Sequence, residues 1–124
     1  MPDINVKLPP GYLDAKNDTQ KNNFVRDLKG YVAAALDTGT AEGRLNVDEI
    51  DLEFGTLGPY QGGRFRVTIV ANNYPERAAN LEERRQKIVC PLQIHPFVTP
   101  LGSTTGELTR SVWVQLVEGA YGEF

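Results

Sequence analysis

The residue of this chain whose chemistry depends most on where it stands is the proline at position two, in "MPDINVKLPPGYLD". Once Met1 is removed, Pro2 is an N-terminal secondary amine. That group titrates near neutral pH and can serve as base, acid or nucleophile, which no internal proline can do. The bland alternative is a proline that opens a strand, where its missing N–H costs little. With Met1 retained, the nitrogen is an amide without useful basicity.

Other reactive side chains are few. Arg77, in "NNYPER", has the planar fork that binds a carboxylate bidentately. It falls in the first turn of an expected helix, where a cation faces the unfavourable end of the dipole, and a role in binding would explain that local misfit. A solvent-facing arginine is the alternative. Arg64 and Arg66 are expected to pair across a sheet with Asp51 or Glu53. His95 is the only histidine and Cys90 the only cysteine. Their spacing to acidic residues does not make a zinc site, and Cys90 reads as a small space-filling hydrophobe. The glycines of "GTLGPYQGG" lack the Gly-Lys-Ser/Thr ending of a phosphate loop, so ATP or dinucleotide chemistry is not expected. The expectation is chemistry without a cofactor.

A chain of 124 residues is the size of one domain, and its formal charge of −3 with 13 scattered basic residues argues against nucleic acid as a partner. One cysteine excludes an intrachain disulfide. No basic leader with an apolar run and no membrane-length apolar stretch is present, so the expected setting is the cytoplasm, without membrane contact.

The elements that must position these groups follow from periodicity. "DINVKL" alternates, with Ile4, Val6 and Leu8 on one side. Phe24, Val25, Leu28, Tyr31, Val32, Ala35 and Leu36 recur at spacings of three and four and predict a helix over about 17–37, capped by Asp14, Asn17 or Asp18. "DEIDLEF" and "RFRVTIVA" read as two further strands, close enough in sequence to pair antiparallel. A second helix is predicted from Pro75 or Glu76, with "EERRQK" as its solvated face and Pro91 ending it at Val89 or Cys90. The stretch 91–110 reads as irregular, with a short strand near Ile94–Val98. "SVWVQLVE" is the last strand. This order suits one mixed sheet with both helices on one face. The opposite face would then expose Val70, Trp113 and Val117, which predicts that it meets another subunit.

In this order of elements the chain resembles the tautomerase superfamily, whose members carry an amino-terminal catalytic proline. "MPDINVKLPPG" is similar to the family's opening strand, "RFRVTIVANNYPERAANLEERRQKIV" to its third strand and second helix, and "SVWVQLVEGAYGEF" to the last strand and tail of its long members, such as the cis-3-chloroacrylic acid dehalogenase group. The resemblance implies an α/β fold of β-α-β-β-α-β type, in a single domain over 1–124, assembled as a homotrimer. It implies Pro2 as the catalytic amine and Arg77 as the surviving member of a pair of substrate arginines. It places Gln115 where a pocket tyrosine stands, and Glu118 or Glu123 near the tail's acidic position, which is Ala120 here. The missing second arginine argues against dehalogenase activity.

Together these observations lead to an expected cofactor-free isomerase. It would act on a small 2-oxo or 2-hydroxy unsaturated carboxylic acid, with Pro2 moving the proton, Arg77 holding the carboxylate and Gln115 donating to the carbonyl oxygen. The alternative is a non-enzymatic oligomeric building block that uses the same sheet face for assembly.

Overall fold

The computed structural model describes residues 2–37, 47–58, 65–72, 75–101 and 110–117. The strand β1 (Asp3–Leu8) leads into α1 (Asp18–Leu36), followed by β2 (Asp51–Thr56) and β3 (Phe65–Asn72). Two helices, α2 (Pro75–Ala78) and α3 (Leu81–Leu92), precede β4 (Arg110–Val117), and single 3-10 turns lie at Val47–Glu49 and Thr99–Leu101. The sheet order is β2-β1-β3-β4, with β1 parallel to β2, antiparallel to β3, and β3 parallel to β4. The helices cover one face. Ile4, Val6, Leu8, Phe65, Val67 and Ile69 point into that layer with Phe24, Leu28, Val32, Leu36 and Ile88, and Leu52 and Phe54 pack against its margin.

Local chemistry fixes the chain's course between strand and helix. Gly11 turns it after Pro9 and Pro10 with φ of +80°, a left-handed conformation that costs a side chain about 1 kcal/mol or more. Asn17 is the N-cap of α1. Its side chain accepts from the Gln20 N–H at 2.8 Å while Gln20 accepts from the Asn17 N–H at 3.0 Å, so two otherwise orphaned donors are satisfied reciprocally.

Four features differ from the expectations. First, β2 and β3 run in opposite directions but do not pair, because β1 lies between them. Central position gives β1 two partners for its apolar alternation, and Arg66 is in register with Lys7, not with Asp51 or Glu53.

Second, the second helix is broken into α2 and α3 at Ala79 and Asn80, where Asn80 Oδ1 accepts from Arg84 Nε at 2.7 Å and makes no cap bond to the backbone.

Third, α3 runs through Pro91 to Leu92. Proline removes the bond to the carbonyl four residues back, but Ile88 and Leu92 are buried on either side of it and Gln93 N–H still reaches the Val89 carbonyl at 2.9 Å. Packing of the last turn outweighs one lost bond.

Fourth, no strand forms at 94–98. The His95 carbonyl accepts from the N–H groups of Val98 and Thr99, and Phe97 turns inward to stack on Phe24 with centroids 4.1 Å apart. The hydroxyl of Tyr12 donates to the Phe97 carbonyl, closing the proline-rich segment over the core.

Candidate active site around Pro2

Pro2 stands directly before β1, in the middle of the sheet. It is buried and continues the inward series Ile4, Val6, Leu8. Its carbonyl accepts from the Asp51 N–H at 3.2 Å, which ties it to the start of β2. On the other side β1 is antiparallel to β3, with Asp3 opposite Val70, so Pro2 lies at the end of the sheet where β3 finishes at Asn72. Its carbonyl bond to β2 and the pairing of the next residue, Asp3, with β3 therefore fix this residue.

Arg77 is brought to the same end. The residue is 1 % exposed, with Nε donating to the Leu36 carbonyl at 2.9 Å and Nη1 to the Asn72 carbonyl at 3.0 Å. Beside it Arg84, 8 % exposed, donates through Nη1 to the Ala35 and Asp37 carbonyls at 2.9 and 3.1 Å. The last turn of α1 has no basic residue of its own. Its final carbonyls have no intrahelical partners and form the negative end of the helix dipole, so two buried guanidiniums from a later segment complete it. This resolves the misfit noted for Arg77: its charge faces the negative end of α1.

The remaining expected residues do not converge on Pro2 within one chain. Gln115 is exposed on the uncovered face of β4, in register with Val70, whereas Pro2 belongs to the buried series of the opposite face. Glu118 lies outside the described residues, as does Arg64.

His95 is engaged elsewhere. Nε2 is 2.9 Å from Asp27 Oδ2, and Nδ1 accepts from the Phe97 N–H at 3.1 Å, so the proton belongs on Nε2 and both nitrogens are occupied. Asp27 is held below the usual carboxylate range, chiefly by its hydrogen bond with His95 and further by Arg26, against some loss of hydration. Cys90 is exposed on α3 and fills no space in the core, contrary to expectation. Among the described residues no group of three His, Cys, Asp or Glu could hold a metal ion, and no helix is long and apolar enough to cross a membrane.

Arg84 was legible only through spacing. It belongs to a run that reads as a solvated face, yet Leu81, Arg84 and Ile88 share one side of a helix, which is the buried side. Asp27 and Tyr12 carried no comparable signal, since their partners lie 68 and 85 residues away.

No known protein family's sequence profile matches the chain, and no curated protein matches it by sequence. Solved structures do match its fold. The macrophage migration inhibitory factor-like protein of Entamoeba histolytica superposes with a TM-score of 0.58 at 12% identity, covering 98% of this chain and 95% of the other. A fused 4-OT, described as a symmetric trimer, gives 0.55 at 16% identity over 93% and 86%. The native protein Ps01740 gives 0.56 at 13% identity over 93% of each chain. Two helices on a four-stranded mixed sheet, in this order, are the fold of the tautomerase superfamily, and this chain has that fold.

Proposed function

We propose that the chain is a tautomerase acting through Pro2 on a small 2-oxo or 2-hydroxy unsaturated carboxylic acid, without a cofactor. The observation that carries this is the placement of Pro2: buried, tied to β2 through its carbonyl, and set at the same end of the sheet as the buried cation Arg77. After removal of Met1 the Pro2 nitrogen is a secondary amine. A fixed positive charge at that end favours the neutral, basic form of the amine and the developing enolate alike. Pro2 takes the 2-hydroxyl proton of an enol, or the proton alpha to the carbonyl of a 2-oxo acid, and the ammonium so formed returns a proton to the conjugated carbon. Arg77, oriented by two main-chain carbonyls, supplies charge for the substrate carboxylate. Gln115 faces away from Pro2 in its own chain, so its donation to the substrate carbonyl requires a neighbouring copy. A homo-oligomer, most simply a homotrimer like the fused 4-OT, meets that requirement.

A second reading is favoured by the same arginine. Two of its donors bind main-chain carbonyls, which is what a purely structural residue does. In that case the chain is a non-enzymatic assembly module. Intact mass combined with turnover separates the two. Protein lacking Met1 by mass should ketonise phenylenolpyruvate, and protein with an added N-terminal extension should not. Equal rates with and without a free Pro2 amine would favour the assembly module.

A further inference from the structure

At the opposite end of the sheet a cleft of about 230 Å³ opens between α3 and the beginning of β4. Its floor is apolar. Phe65, Leu92 and Val98 are buried there, with Val89 and Val112 half-buried beside them. Two guanidiniums, Arg85 and Arg110, stand over this floor. They differ in what already occupies them. Arg85 is neutralised, donating through Nε and Nη2 to both oxygens of Glu82 at 2.9 and 2.7 Å. Arg110 is steadied by a single bond from Nη1 to the Gln93 carbonyl at 3.2 Å, and no carboxylate among the described residues lies within ion-pair distance of it. Its Nε and Nη2 form the side of the fork that receives a carboxylate bidentately, and among the described residues neither has a partner.

We infer that this cleft is a binding site for a small monocarboxylate with an apolar body, such as an arylacetate. Arg110 anchors the carboxylate and the hydrocarbon part fills the floor. One positive charge with no carboxylate partner among the described residues matches one negative charge. A phosphate would prefer several donors and a polar floor, and the volume is too small for a nucleotide. A cavity of about 150 Å³ already admits a benzene ring, so a phenyl group with a short acid fits the space here. The site is separate from the one at Pro2: the seven strand residues from Phe65 to Ala71 span about 20 Å. The inference therefore does not rest on catalysis by Pro2.

Phenylacetate titrated into the ¹⁵N-labelled Pro2→Ala protein is the test. Amide shifts should cluster at Val89, Leu92, Gln93 and Val112. Phenylacetamide, which keeps the ring and loses the charge, should bind about tenfold or more weakly, the scale of a charge-assisted hydrogen bond. Arg110→Gln should weaken phenylacetate by a similar factor and leave phenylacetamide unchanged. Val89→Phe, which fills the cleft, should abolish both. No shifts at about 10 mM acid, far above typical ligand affinities, would overturn the proposal. Shifts confined to the Pro2 end, or equal binding of acid and amide, would do the same.

Discussion

Arg77 Nε lies 2.9 Å from the carbonyl oxygen of Leu36, joining α2 to the end of the first helix across 41 positions of sequence. Arg84 repeats the contact on the two flanking residues, Ala35 and Asp37. The end of α1 at which Pro2 is proposed to act is therefore held by two buried cations.

Replacing either arginine should cost stability first. Removing Arg84 leaves the Ala35 and Asp37 carbonyls without this donor, and loss of a partner from a buried polar group costs about 1–3 kcal/mol. Arg84→Ala should thus lower the unfolding free energy by roughly 2–4 kcal/mol, allowing for lost packing of the stem. Arg84→Lys should recover less than half, because an ammonium cannot reproduce the fork that spans Asn80, Ala35 and Asp37. Urea denaturation of the three proteins measures this.

Acid should unfold the protein partly through two carboxylates. Asp27 is held below its usual 3.8, first by the His95 hydrogen bond, and Glu82 is lowered from 4.5 to about 2, first by the Arg85 hydrogen bond. A carboxyl whose folded value is depressed adds stability that is complete above its unfolded value and is lost as pH falls through the folded one. The expected window therefore opens near the ordinary values and extends down to about 2 for Glu82. Glu82 is 70 % exposed, so water and salt screen its pair, and the sheltered Asp27–His95 pair should dominate. Urea midpoints measured between about pH 5 and pH 2 should fall less steeply in Asp27→Asn than in the parent, and Glu82→Gln should differ little.

Trp113 is 63 % exposed on the uncovered sheet face, opposite Thr68 in register. If that face meets another copy, Trp113→Arg should shift sedimentation to the monomer while the circular dichroism of the fold is retained, since the ring contributes little to the core of its own chain. A monomeric parent at micromolar concentration would contradict this.

Periodicity made most of the fold legible. Alternation gave the inward faces of β1 and β3, and the spacing of three and four gave α1 to within a residue at each end. Order in the sheet was not legible, because alternation says which face is buried and nothing about which strand is the neighbour. The stretch after Pro91 was opaque for a different reason. Its structure comes from Phe97 stacking on Phe24, Tyr12 reaching its carbonyl and His95 reaching Asp27, all contacts with the first quarter of the chain. Pro2 could be singled out from its position alone. The actual environment of Arg77 could not, since it depends on where α1 ends in space.

The most direct measurement is the rate of phenylenolpyruvate ketonisation by protein whose mass shows Pro2 at the N-terminus, compared with the Pro2→Ala variant processed in the same way. Catalysis by the Pro2 amine predicts a loss of about a hundredfold or more, the usual contribution of a positioned base, with unchanged circular dichroism and oligomeric state. Turnover retained in Pro2→Ala, or a parent protein no faster than free proline, would contradict it.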